Sequence, residues 1–200
     1  MSSFELVYFP ITARALSSRI ILTLAGANWK NRIPQWPAEK ASMPFERLPV
    51  LNETSSDGYK FTLVESTAIE RYLARKFGFL PSDNQVNATL EQYALQISDS
   101  FESFITYNYQ NKSKESKADM EKNLVFLLKH HEPILAANPS GHYYGENISY
   151  PDIVLYSLYQ QVKANNVTDI FNESDFPHIM KLISIMESND KVSTAVSIVS

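Results

Sequence analysis

The hydrophobic periodicity of this 200-residue chain changes near residue 85, and that change restricts the fold more than any other feature. Before it, short apolar runs alternate with helical patterns and a proline-studded stretch. After it, helical spacing continues almost to the end. Residues 4–9 read as a short buried strand. Residues 14–25 place Leu16, Ile20 and Leu24 on one helical stripe, widened by Ile21, with Gly26 as the stop. Residues 29–33 are a second strand candidate, and Pro34, Pro37 and Pro44 make the next stretch irregular. Residues 50–52 and 60–64 flank Ser55-Ser56-Asp57-Gly58 as a hairpin, and residues 66–77 form a helix closed by Gly78 and Pro81. The expected order is β-α-β, a loop, then β-β-α.

Beyond the change the pattern predicts four helices, over 90–107, 117–131, 149–163 and 177–188. Pro133 is expected to stop the second, and Pro177 suits the first position of the fourth. The domain boundary falls in the Pro/Ser/Asp/Asn-containing stretch 79–85, giving domains 1–80 and 86–200. Ser149-Tyr150-Pro151-Asp152 ahead of an apolar run is a capping box with Asp in place of Glu. Ile148 and Ile153 sit where a hydrophobic staple would. Its expected role is in folding.

Composition removes several function classes. A formal net charge of −4 argues against nucleic acid, which demands a basic face. No apolar run approaches the roughly 18 residues of a membrane span, so no membrane partner is expected. The absence of cysteine excludes disulfides, thiolate metal sites and a cysteine nucleophile. His130, His131, His142 and His178 lack zinc-like spacing, so no metal is expected. The start lacks the features of a secretory signal, which favours a cytoplasmic location.

Two features point to a ligand. Leu48-Pro49 heads the strand Val50-Leu51, and a proline there leaves the preceding backbone unpaired and open to a partner. Glu65-Ser66 opens a helix, where amides and a hydroxyl suit an anion. Together they fit a peptide-like ligand carrying a carboxylate.

The ordered set Leu6-Val7-Tyr8-Phe9, Arg14, Trp36-Pro37, Lys40, Pro44-Phe45, Leu48-Pro49-Val50-Leu51, residues 65–73 and the capped helix at residues 149–156 resembles the cytosolic glutathione transferases. It is most similar to the sigma class, which includes glutathione-dependent prostaglandin D synthase. The resemblance spans nearly the whole chain. It implies a thioredoxin-like βαβ-ββα domain, then an all-helical domain, usually in a homodimer. It also implies a transferase that joins the thiolate of glutathione, its co-substrate, to small apolar electrophiles in detoxification. The same site would serve an isomerase or a peroxidase, and a crystallin-like structural protein or apolar-ligand carrier is the non-catalytic rival.

The resemblance assigns roles residue by residue. Tyr8 hydrogen-bonds the glutathione sulfur, and Arg14 supports it electrostatically; without the resemblance they read as a core tyrosine and a surface arginine. Leu48 pairs the ligand backbone beside Pro49, whose bond is cis in the family, although a trans proline at a strand start is equally consistent with the residues. Glu65 and Ser66 hold the γ-glutamyl end, with a plain N-cap as the alternative for Ser66. Trp36, Lys40 and Arg47 receive the glycine carboxylate, and the two cations also read as solvated surface charge. Asp99 reaches the γ-glutamyl amine of a neighbouring subunit. Phe9, Ile11, Phe104 and Tyr107 line the second-substrate pocket, although the spacing of Phe104 equally fits core packing. The loop Pro10-Ile11-Thr12-Ala13-Arg14 departs from the Gly-Arg-Gly-Arg run common in the sigma class and keeps only its last arginine.

Overall fold

The computed structural model describes residues 1–198. By its contacts the chain divides into two compact units, one formed by Met1–Phe79 with the segment from Asn189 onward, the other by Leu80–Ser188. The first unit is built on a four-stranded sheet in the order β2-β1-β3-β4. Its strands are β1 (Ser3–Val7), β2 (Asn28–Arg32), β3 (Val50–Thr54) and β4 (Lys60–Val64). The β1–β2 pair is parallel, joined through α1 (Leu16–Leu24), whereas β1–β3 and β3–β4 are antiparallel. This is the thioredoxin-like βαβ-ββα arrangement, with α2 (Ser66–Phe77) after β4.

Period-two alternation sorts the strands' side chains between two faces. Val7, Val50 and Val64 lie in cross-strand register and form one buried cluster with Met43, against which Trp36 and Leu48 pack. Leu6 pairs with Leu51 and points the other way, also fully buried. Helix α2 ends on Gly78 at φ 80°, and Phe79 N–H donates to Ala74 O at 2.8 Å. That six-to-one bond closes the last turn as a glycine C-cap does.

The second unit is a helical bundle of α3 (Asn84–Ile105), α4 (Lys114–Ala136), α5 (Tyr150–Ala164) and α6 (Pro177–Glu187). A single π-type turn at Thr106–Gln110 follows α3, so the helix expected to reach residue 107 changes pitch at 106. Nearly all of α5 is buried, which makes it the centre of the bundle. Its start carries the expected capping box: Ser149 N–H and Oγ–H both donate to Asp152 Oδ2 at 2.6 Å. The fully buried Asp152 also accepts Tyr143 N–H at 3.0 Å through Oδ1. At α6 the cap comes from another helix: Glu132 accepts His178 N–H at 2.9 Å and Ile179 N–H at 3.0 Å.

Two expectations fail. Pro133 does not stop α4, which runs to Ala136. Proline loses its own donor and crowds the carbonyl one turn back, and the burial of His131 and Leu135 on the same helix offsets that cost. The segment after 189 does not join the helical bundle. It forms α7 (Asp190–Ser197), which packs on α1 through the buried Val192 and Ala195, and Lys191 Nζ donates to Leu24 O at 3.1 Å. Its eight residues are too short to have stood out as a helix by periodicity.

Candidate active site

The site of the first unit is assembled where β1 ends. Tyr8 follows the last residue of β1, and its N–H donates to Arg32 O at 3.0 Å, extending the parallel ladder by one bond. Its side chain is 6% exposed. The ring lies 5.6 Å from that of Phe9, which meets the Trp36 indole edge-on at 5.8 Å and 87°. Trp36 and Leu48 rest on the valine cluster, which gives that side of the site an apolar base.

The loop carrying Trp36 is held by Glu39. Its carboxylate accepts Gln35 N–H at 2.7 Å and pairs with Arg32 at 2.6 Å, and these partners hold it below the usual carboxylate range. Lys40 and Arg47 are exposed. Lys40 Nζ stands 3.8 Å from Glu46, and Arg47 stands 3.8 Å from Glu65, bridging the proline loop to the start of α2. The Leu48–Pro49 bond is cis, as is Trp36–Pro37.

The entry to α2 is unusual. Glu65, not Ser66, occupies the N-cap position, and it does so at φ 69°, ψ 115°. A non-glycine residue in that region costs roughly 1–3 kcal/mol. Its side chain makes no capping bond, and Ser66 is the first helical residue. The plain N-cap alternative for Ser66 is therefore ruled out. What remains is the half-buried Ser66 and the first amides of α2, beside a strained, exposed glutamate. That arrangement suits an anion.

Arg14 is half-buried in the turn before α1. Phe9 is half-buried and Ile11 exposed, both within the first unit. In the second unit Asp99 is exposed on α3, and Tyr107 is half-buried in the π-type turn. Phe104 is fully buried and stacks on Phe101 at 6.4 Å. It has no surface to offer a substrate, and core packing, the alternative its spacing allowed, is what the helix shows. Among the described residues no group of three or more metal-ligating side chains is present.

Two residues at this site escaped the sequence reading, Arg19 and Asn31. Arg19 is among the largest fully buried side chains of the described residues, on the inner face of α1. The signal was there to read, since position 19 falls three residues after Leu16 and next to Ile20, on the apolar stripe. A charged residue at such a position needs dedicated partners.

Comparison with known proteins agrees with this geometry. Residues 97–195 match the family model described as glutathione S-transferase, C-terminal domain. The probable glutathione S-transferase 6 of Caenorhabditis elegans is 29% identical, over 96% of this chain and 94% of its own length. The bovine glutathione S-transferase P is 28% identical, over 96% and 90%. Among solved structures, the sigma class enzyme of Fasciola hepatica superposes with a TM-score of 0.84 at 27% identity, covering all of this chain and 97% of that one. Over nearly its whole length the chain is similar to glutathione transferases. A Nu-class transferase from Haemonchus contortus matches at 26% identity with a TM-score of 0.78. The likeness to relatives of several named classes is similar, so the similarity is to glutathione transferases as a group. No helix among the described residues is long and apolar enough to cross a membrane.

Proposed function

We propose that the protein is a glutathione transferase that joins the glutathione sulfur to small apolar electrophiles. The observation that carries this reading is the convergence, within one compact unit, of Tyr8 at the end of β1 with the uncapped, strained Glu65–Ser66 entry to α2. In this reading Leu48 pairs the ligand backbone. Ser66 and the first amides of α2 hold the γ-glutamyl carboxylate, and Glu65 pairs its ammonium. Trp36, Lys40 and Arg47 receive the glycine carboxylate through an indole N–H and two cations.

The chemistry is thiol activation. A free thiol of this kind has a pKa near 8.5, and lowering it by about two units takes roughly 2.7 kcal/mol. The Tyr8 hydroxyl supplies much of this by donating to the sulfur, since hydrogen bonds to charged groups are the strong ones. Arg14 adds positive charge nearby. The thiol proton leaves to solvent. The thiolate then attacks an electrophilic carbon, a C–S bond forms, and in an aryl halide the halide departs with the C–halogen electron pair. Phe9 and Ile11 are assigned to the electrophile's wall.

Asp99 is assigned to the γ-glutamyl amine of a second subunit in a homodimer. The exposure of Phe45, 76% at φ 52° beside Glu46 at the same φ, supports a role for that aromatic in pairing. The proposed location is the cytoplasm. The decisive test is Tyr8→Phe, assayed with glutathione and a model aryl halide. We expect kcat to fall about 10- to 1000-fold with glutathione affinity nearly unchanged. Unchanged turnover would remove Tyr8 from its role.

A further inference from the structure

Residues 9–13, between Tyr8 and α1, have no regular secondary structure, and their sequence departs from the run that the family resemblance would supply. What fixes their shape is visible in the hydrogen bonds. The Arg19 guanidinium donates through Nη1 to Ile11 O at 2.8 Å and through Nη2 to Phe9 O at 2.8 Å. Nε and Nη2 donate to Asn31 Oδ1 at 3.1 and 3.0 Å. Asn31 in turn donates through Nδ2 to Tyr8 O at 3.4 Å, a bond longer than usual and so the weakest of the set. The guanidinium carbon lies 5.6 Å from the centroid of the Tyr8 ring, within cation–π range. Phe9 O accepts Ile11 N–H at 2.9 Å as well, so the loop folds back on itself around the guanidinium.

We infer that Arg19, braced by Asn31, is the positioning residue that sets Tyr8 and the Phe9–Ile11 wall in their working geometry. The inference rests on the glutathione transferase reading. A purely structural account of Arg19 fits poorly. Burying a guanidinium costs several kcal/mol before its partners are counted, and an apolar side chain of similar volume often packs as stably. Burial pulls the Arg19 pKa down to about 10, so it keeps its charge at neutral pH. The bonds it makes are concentrated on the three oxygens that dictate where residues 8–11 lie: two loop carbonyls and the amide oxygen of the side chain that reaches Tyr8. A planar fork matches three separated acceptors, whereas an ammonium does not. The Tyr8 hydroxyl sits at the end of a ring whose face meets this cation. A displacement of the loop would move both the sulfur's donor and the apolar wall.

The test compares wild type, Arg19→Met, Arg19→Lys and Asn31→Leu, using glutathione and a model aryl halide. Each protein is checked for its fold by circular dichroism and for glutathione binding by calorimetry. The thiolate of bound glutathione is titrated by its ultraviolet absorbance. For Arg19→Met we expect kcat to fall about 10- to 100-fold, with glutathione Kd within about threefold of wild type. The bound thiol should titrate higher. Arg19→Lys should recover little of this, and Asn31→Leu should show the same pattern more weakly. Should Arg19→Met fail to fold, Asn31→Leu carries the test, because it cuts one arm of the fork and leaves the cation. A folded Arg19→Met or Asn31→Leu protein with wild-type kcat and thiol titration would overturn the inference. Full recovery by Arg19→Lys would overturn the fork geometry in favour of charge alone. If wild type itself binds no glutathione, the transferase reading falls first, a result distinct from a wild type that works and variants that match it.

Discussion

The starts of α2 and α5 are built to opposite specifications. Helix α5 opens with a capping box, a proline in its first turn and a fully buried carboxylate whose two oxygens take three donors. Helix α2 opens with a glutamate in a positive-φ conformation, no capping side chain and an exposed entry. The first satisfies its own orphan amides and so contributes to stability. In the proposed reading the second leaves them for the glutathione carboxylate, and it carries local strain as well. Completing a helix end internally and leaving it open to a ligand are mutually exclusive uses of the same amides. Internal completion is not confined to the second unit, since Asn189 caps α7 in the first by accepting Lys191 N–H at 3.0 Å and Val192 N–H at 3.3 Å.

The sharpest way to break the contrast is Asp152→Ala. It orphans three donors in the core of the bundle, and we expect a loss of about 3 kcal/mol by urea denaturation with glutathione affinity untouched. A comparable effect should come from acid. His131, fully buried with Nε2 2.9 Å from Gln96 and Nδ1 on the Tyr143 hydroxyl, is pulled by burial from 6.5 down to about 4. A histidine pKa lowered by folding means that the unfolded chain binds the extra proton first. Stability is therefore full above about pH 6.5 and declines as pH falls toward 4, by up to about 3 kcal/mol. Urea midpoints measured across that window should show the slope, and His131→Asn should flatten it.

On the other side of the contrast, Ser66→Ala should weaken glutathione binding by about 2 kcal/mol, read by calorimetry, with little change in Tm. Smallest and most telling is Glu65→Gly. Relief of the φ 69° turn should raise stability by up to about 1 kcal/mol while glutathione binding weakens. Opposite signs in the two measurements would confirm that this turn serves the ligand at the expense of the fold. Loss of both would place α2 in the same category as α5.

The start of α5 was legible before any coordinates, because a capping box is a local pattern four residues long. The sheet and its helices were legible for the same reason: alternation and 3.6-residue spacing are short-range signals. The site was less so. Tyr8 reads as a strand tyrosine until the loop beyond it is known, and Arg19 reads as one polar residue on an apolar stripe until Phe9, Ile11 and Asn31 are seen around it. The strain at Glu65 leaves no mark in composition. Phe104 was ambiguous because the same spacing serves a core and a pocket wall, and only its complete burial decides between them. Helix α7 went unseen because eight residues make too short a periodicity, and its place on α1 is a contact between distant parts of the chain.

That last contact has a consequence for the order in which the protein is made. The bond from Lys191 to Leu24 spans 167 positions, and the whole helical bundle is encoded between them. At translation speeds of roughly 5–20 residues per second, α1 leaves the ribosome roughly 8–33 seconds before the helix that covers it. During that interval the surface later shielded by Val192 and Ala195 is open, and the nascent chain offers a chaperone an apolar patch that the finished molecule does not have.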